Sequence, residues 1–169
     1  GITPVITQAP EALGALSDDI IAVVGTAPDA DASKFPLNTP VRISRQTDAK
    51  LLDTTENGLG WLIHFCQKTF KQAKAPIYVI RVEEGVDDNE TISNIIGGVD
   101  GATGQKKGIS AILSCFEKPT IIAAPGWSSN IGVAQALAEI NLKIGCRFPV
   151  DLQGATATDV AALGDSLGN

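Results

Sequence analysis

A continuous apolar run at residues 20–24 constrains the fold of this chain more than any other feature. The run reads IIAVV, is rich in β-branched side chains and shows no alternation of apolar and polar positions. Such a run is typical of a strand covered on both faces, as in a parallel or mixed sheet flanked by helices. Gly25 and Pro28 end the run, which therefore predicts a short buried strand in an α/β domain.

The rest of the chain alternates between strand-like and helix-like patterns. Short runs rich in β-branched residues predict further strands at residues 41–43, 77–82, 120–124 and 148–152. Apolar residues at helical spacing predict helices at residues 59–73, 91–96, 109–116 and 131–144. We therefore expect an α/β fold with a mostly parallel or mixed sheet and flanking helices, in which right-handed crossovers connect the strands from Ile77 onward.

Several assignments make predictions about single side chains. Thr47 is predicted to cap a short helical turn, Asn130 the helix at residues 131–144, and Thr158 a final helical segment. Phe116 is expected to face the core. The helix at residues 59–73 is expected to bury a stripe made of Leu59, Leu62, Ile63, Cys66 and Phe70.

The charge balance disfavours a nucleic-acid-binding surface. The chain has 13 basic and 19 acidic residues and a net charge of −6, whereas binding to phosphate requires clustered lysine and arginine. A basic cluster at helical spacing is interpreted as a solvated helix face. It consists of Lys68, Lys71 and Lys74.

The cysteines and the hydropathy pattern do not point to a secreted or membrane protein. Cys66, Cys115 and Cys146 are scattered, so they are interpreted as buried small apolar residues in a reducing compartment rather than as disulfide partners or zinc ligands. No apolar run approaches the ~20 residues of a membrane span, and the chain is expected to be soluble.

Residues with catalytic potential do not combine into a catalytic site. His64 is the only histidine, and its apolar neighbours indicate a flank or packed histidine rather than a general base. Ser128 and Ser129 follow a predicted strand, where α/β enzymes place site residues, but no nucleophile-elbow motif is present. We therefore predict no catalytic, cofactor-binding or metal-binding residue.

Two other functions stay open as alternatives. One is an α/β hydrolase or nucleotide-binding enzyme that uses the strand-end loop at residues 125–130. The other is a small module that binds calcium through the acidic loop at residues 83–90, although this loop lacks the order of an EF-hand. The glycines at residues 97–104 do not follow a strand and open a helix, so phosphate binding there is weakly supported.

The N-terminal segment has its own pattern. Residues 3–7 form a short extended run, and Pro4 bars it from a central strand. Such a segment is either a frayed end or an arm that pairs with the sheet edge of another chain, and composition alone favours the frayed end.

Three stretches together resemble the tail sheath proteins of contractile-tailed phages and of phage-tail-like bacteriocins. The first is IIAVVGTAPDADASKFPLNTPV at residues 20–41. The second comprises VIRVEEG, TISNIIGG and TGQKKG between residues 79 and 108, and the third is KPTIIAAPG at residues 118–126. Their order and spacing span most of the chain.

The resemblance implies a non-enzymatic, structural function. Sheath subunits of this family stack as hexameric rings around the tail tube, contract, and drive the tube through the host envelope. The implied partners are neighbouring sheath subunits, the tail tube protein and the baseplate, without nucleic acid or membrane. The implied location is the virion of a phage or the particle of a prophage, after assembly in the cytoplasm of the bacterial host.

The resemblance also implies how the chain is divided. Residues 1–18 correspond to an N-terminal arm, and residues 19–169 to an α/β domain of a longer sheath protein whose C-terminal, tube-contacting part is absent. In the family, terminal arms link neighbouring subunits, which gives the extended run of the arm that role here. The linking residues are Thr3, Val5, Ile6 and Thr7. Without the partner strand of the C-terminal part, the chain is expected to be monomeric.

Overall fold

A computed structural model describes residues 19–147 of the chain. The predicted arm at residues 1–18, the predicted strand at residues 148–152 and the predicted cap Thr158 lie outside the described residues.

The described part alternates strands and helices as predicted. The strands are β1 (Ile21–Thr26), β2 (Val41–Ile43), β3 (Ile77–Val82), β4 (Gly98–Val99), β5 (Lys106–Lys107) and β6 (Ile121–Ala123). The α-helices are α1 (Gln46–Ala49), α2 (Leu62–Gln72), α3 (Asp88–Ile96) and α4 (Ile131–Ile144). Two 3₁₀ segments, Lys50–Leu52 and Gly108–Ser114, complete the described elements.

The main sheet is mixed and has the order β2-β3-β1-β6. β1 lies in the centre and pairs in parallel with β3 on one side and β6 on the other. β2 pairs antiparallel with β3, forms one edge of the sheet and is only partly buried. Beyond β6, Arg147 forms a parallel bridge with Ile121. The predicted α/β class with a mixed sheet and flanking helices is confirmed.

The central position of β1 in the sheet explains why residues 20–24 are all apolar. Ala22 and Val24 belong to a core cluster with residues of α3, α4 and the second 3₁₀ segment. Ile21 and Val23 point to the opposite core cluster, which includes residues of α2 and the buried Phe35. Because both faces of β1 are covered, side chains that point to either face are buried, and apolar residues do not alternate with exposed polar ones. Burial of each such large side chain stabilises the fold by about 1.5–3 kcal/mol.

Helix α2 begins three residues later than its apolar pattern predicts. Gly58 and Gly60 have φ angles of 70° and 85°, which are incompatible with a right-handed helix. Leu59 therefore lies outside the helix and is 49% exposed, so its place in the buried stripe was wrong. Phe65 takes part in the buried face instead.

The prediction that Phe116 faces inward was also wrong. The segment is a 3₁₀ helix that ends at Ser114, and Phe116 lies beyond it with 96% of its surface exposed. Ile109 and Ile112 are buried as predicted, because their spacing of three residues matches one 3₁₀ turn.

The remaining differences concern helix starts and a short hairpin. Thr47 does not cap α1: Arg45 occupies the cap position, and it forms an ion pair with Asp48 at 3.2 Å. Helix α3 begins at Asp88, one turn before the predicted start. Residues 98–99 and 106–107, for which the sequence predicts no strand, form the antiparallel pair β4–β5. Among the described helices, none is both long and apolar enough to cross a membrane.

Candidate functional site

The carboxyl ends of the parallel strands mark where an α/β enzyme would bind its ligand. From β1 the chain passes to β2 and β3, which lie on one side of β1 within the sheet. From β3 it returns to β6, which lies on the other side of β1. Ligands of open α/β sheets bind outside the carboxyl ends of two neighbouring strands whose connections run in opposite directions, which here are β1 and β6. The loop at residues 125–130 lies at this edge, directly after β6.

Gly60 and Trp61 lie against the loops that follow β1 and β6. Gly60 approaches the backbone of Thr26 and Ala27 so closely that a Cβ atom would collide with the Thr26 carbonyl oxygen. Gly126 has a φ of 84°, and a Cβ atom there would collide with the indole ring of Trp61. The segment that precedes α2 therefore covers the region in which a ligand crevice would open.

The loop at residues 125–130 is built as a helix start. Ser128 is 3% exposed, and its amide donates to the Ala124 carbonyl at 3.1 Å. Asn130 Oδ1 accepts from the amide of Val133 at 3.1 Å and caps α4, as predicted. A side-chain acceptor at this position satisfies an amide that the helix leaves without an intrahelical partner.

His64 lies on the exposed side of α2. Its Nε2 atom and the carbonyl oxygen of Gly58 are 2.9 Å apart. Because a carbonyl oxygen only accepts, Nε2 carries a proton in this contact and cannot act as a base from that atom. The imidazole thus contacts the turn before α2, and of the two non-catalytic interpretations, a flank or a packed histidine, the exposed position fits the flank.

The acidic loop before α3 is a helix cap. Asp87 Oδ1 accepts from the amide of Glu90 at 2.9 Å, and Glu90 Oε2 accepts from the amide of Val86 at 2.9 Å. This is a variant of the capping box, and the D-x-x-E order at residues 87–90 is the sequence signal that reveals it. Between residues 19 and 147, no group of three His, Cys, Asp or Glu side chains is placed to hold a metal ion.

The long loop between β1 and β2 is fastened to the same edge of the sheet. Arg81 Nε donates to the Phe35 carbonyl at 2.7 Å, and the Asn38 amide donates to the Arg81 carbonyl at 2.7 Å. Asn38 has a φ of 59°, and its Oδ1 accepts from the Gly108 amide at 2.9 Å. The loop between β1 and β2 is therefore hydrogen-bonded both to β3 and to the second 3₁₀ segment.

The cysteines of the described part are free thiols. Cys66 is buried, and burial raises its pKa above the ordinary value of 9.0. Cys115 and Cys146 are half-buried, and burial raises their pKa values to about 12 and about 11. Of the sequence-predicted site residues, the arm residues Thr3, Val5, Ile6 and Thr7 lie outside the described part.

No protein-family model matches the chain. It is 36% identical over 149 residues to the tail sheath protein of Escherichia phage P2, an alignment that covers 82% of this chain. It is 33% identical over 141 residues to a putative prophage major tail sheath protein of Pseudomonas aeruginosa (strain UCBPP-PA14), covering 80% of this chain. It is 30% identical over 135 residues to the major tail sheath protein of Serratia phage KSP20, covering 76% of this chain.

The matched region is a minor part of these relatives. The alignments cover 36%, 34% and 34% of the three proteins, so the chain spans about a third of the length of the curated relatives it matches. None of the three names describes an enzyme.

Proposed function

We propose, from the premise that this chain is a homologue of the phage tail sheath proteins, that it is a structural part of a contractile tail sheath. The similarity to three proteins named as tail sheath proteins carries the proposal, and it confirms the resemblance that three stretches of the sequence predict. Because the chain spans about a third of those relatives, the function is that of a longer protein to which the chain corresponds in part.

In detail, the longer subunit would form hexameric rings around the tail tube and contract to drive the tube through the host envelope. Its partners would be neighbouring sheath subunits, the tube protein and the baseplate. Its place would be the tail of the virion or prophage particle, after assembly in the host cytoplasm. Residues 1–18 would form the arm that links subunits, through Thr3, Val5, Ile6 and Thr7, and residues 19–169 a domain of the sheath wall.

The packing of the described part supports a rigid building block. Both faces of the sheet are covered by apolar cores, and the loops at the carboxyl edge are tied to strands and helices by side chains such as Asn38 and Asp87. The segment Gly60–Trp61 covers the place where an α/β enzyme would keep its ligand crevice. These features favour a domain that acts through its neighbours.

Electron microscopy of the full-length protein tests the proposal. We expect long hollow cylinders of stacked rings, because sheath subunits that carry their arms and their C-terminal part polymerise. Dispersed particles without rings or cylinders, under conditions in which the protein is folded, would contradict it.

An activity screen of the same protein gives an independent test. A structural subunit should show no hydrolase activity that depends on Ser128 or Ser129, and calorimetry should show no heat of calcium binding. Hydrolysis that is lost in the variants Ser128→Ala and Ser129→Ala would overturn the structural function in favour of an enzyme.

The oligomeric state of the present chain tests the division into arm and domain. We expect the 169-residue chain to sediment as a monomer or a weak associate, since the partner strand for its arm would belong to a part of the longer subunit outside the matched third. A stable hexamer of this chain would contradict that division.

A further inference from the structure

The two ends of the described domain meet in one polar cluster. Asp19 lies two residues before the start of β1, and Arg147 lies three residues after the end of α4. Arg147 Nη2 lies 3.0 Å from Oδ1 and 2.9 Å from Oδ2 of Asp19, although 128 positions separate the two residues. The ion pair therefore joins the points at which the chain enters and leaves the domain.

Thr120, which precedes β6, completes the cluster. Its Oγ1 donates to Asp19 Oδ1 at 2.8 Å and accepts from the Ile20 amide at 3.0 Å. The Arg147 amide donates to the Thr120 carbonyl at 2.9 Å, and the Arg147 carbonyl accepts from the Ile122 amide at 2.8 Å. Side-chain and backbone hydrogen bonds thus tie Asp19 and Arg147 to the start of β6, at the amino end of the parallel strands.

The carboxylate of this cluster is better shielded than that of a comparable ion pair. The side chain of Asp19 is 12% exposed and that of Arg147 is 50% exposed. In the pair Arg42–Glu117, the side chains are 47% and 36% exposed. Both carboxylates accept from two side chains, Glu117 from Arg42 and Tyr78, so the two pairs differ in exposure, and solvent screens the more shielded Asp19 less.

We propose that Asp19, Thr120 and Arg147 act as a mechanical clasp. The segments at residues 1–18 and 148–169 continue the chain from the two clasped ends. Tension applied between these segments first loads the clasp, together with the backbone hydrogen bonds of Arg147 to Thr120 and Ile122, before it reaches the rest of β1, β3 and β6. The domain then moves as a rigid body when its two flanking segments are pulled.

The proposal rests on the proposed function only for the source of the tension, which is the rearrangement of sheath subunits. Its physical content is local, because it requires only that the clasp lies on the shortest path between the two ends. The clasp and the sheath function can therefore fail separately.

Single-molecule pulling of the 169-residue chain, with handles at its two termini, tests the clasp. The variant Asp19→Asn removes the charge and keeps the shape, while Glu117→Gln is the matched change in an ion pair away from the two ends. We expect Asp19→Asn to unfold roughly five- to tenfold faster at a fixed force, and Glu117→Gln to stay within about twofold of the parent chain. Equal rates for the two variants, or no change in either, would overturn the clasp.

A milder variant keeps the test decisive if Asp19→Asn does not fold. Arg147→Lys retains the charge but has a shorter side chain without the planar guanidinium whose Nη2 reaches both oxygens of Asp19, and it should accelerate forced unfolding by about two- to fivefold. Hydrogen exchange of the Ile20 and Arg147 amides should accelerate in the same variant while exchange at Val79 stays constant. Unchanged exchange and unchanged rates in Arg147→Lys would reject the clasp, whether or not the full-length protein forms cylinders.

Discussion

Single residues decide how the loops of this domain meet its sheet. Asn38 accepts a left-handed backbone and at the same time supplies the acceptor for the buried Gly108 amide. Gly60 permits a contact between two backbone segments that a Cβ atom would prevent. Asparagine and glycine are the residues that tolerate such conformations, so both positions depend on residue type and not only on polarity.

Replacing Asn38 should separate its two functions. We expect Asn38→Ala to lower the free energy of unfolding by about 2–3 kcal/mol, because it adds backbone strain and leaves the Gly108 amide without its acceptor. Asn38→Gly removes only the acceptor and should cost about 1–2 kcal/mol. Denaturant titration measures both values, and equal losses would show that the left-handed backbone carries no cost for alanine.

Replacing Gly60 should be far more costly than replacing an open glycine. Gly60→Ala drives a methyl group into the Thr26 carbonyl at a φ of 85°, and we expect a loss of about 2–4 kcal/mol in the free energy of unfolding. Gly101 is the control, since a Cβ atom there has no neighbour within 4 Å, and Gly101→Ala should change stability by no more than about 0.5 kcal/mol. Similar midpoints for the two variants in urea would contradict the close packing at the carboxyl edge.

The thiols should react slowly with an alkylating reagent in the folded chain. Burial raises the pKa of Cys146 to about 11 and that of Cys115 to about 12, so little of the reactive thiolate exists near pH 8. We expect labelling of Cys146 first, then Cys115, with Cys66 protected until the chain unfolds. Mass spectrometry follows the order, and the urea-unfolded chain, whose thiols have ordinary pKa values, is the control.

The same shifts fix the sign of a pH effect on stability. A folded-state pKa above the unfolded value near 9.0 means that the folded chain holds these protons more tightly. The stabilisation is complete below about pH 9 and is lost as the pH rises toward the folded-state values. Rapid labelling of Cys66 in the folded chain near pH 8 would contradict the expected protection of this thiol by burial.

At the scale of elements, local signals explain which boundaries the sequence predicts. Helix α4 matches its prediction at both ends because Asn130 caps its start and Gly145, with a φ of 63°, ends it. The sequence pattern predicts the start of α3 at residue 91 instead of Asp88, because residues 83–90 are interpreted as an acidic loop. The D-x-x-E order at residues 87–90 is in fact the helix cap. The segment before Phe116 has apolar spacing that a helix and a 3₁₀ segment share, so periodicity alone does not separate them.

Loss of the cap on α3 should weaken the domain. We expect Asp87→Ala to lower the free energy of unfolding by about 1 kcal/mol, because the Glu90 amide loses its side-chain acceptor. Asn89→Ala changes an exposed position in the first turn of the same helix and should be near neutral. A loss in Asn89→Ala as large as that in Asp87→Ala would show that helix propensity rather than capping is responsible.

At the scale of the whole molecule, the fold class was predictable and the arrangement at the carboxyl edge was not. The apolar runs of β1, β3 and β6 predict covered strands, but their order in the sheet depends on contacts that no local pattern encodes. In the same way, nothing in the spacing of Gly60, Trp61 and Gly126 shows that they meet. The composition of the loop at residues 125–130 left an enzyme open, because no local pattern shows that Trp61 packs against this loop.

Immunogold electron microscopy can show whether this chain is part of a tail sheath. Antibodies raised against the 169-residue chain would be applied to intact tailed particles from the organism that encodes it. A sheath subunit repeats along the tail, so we expect gold label along the whole length of the outer tail wall. Label confined to one end of the tail or to the capsid, or particles that bind no antibody, would contradict it.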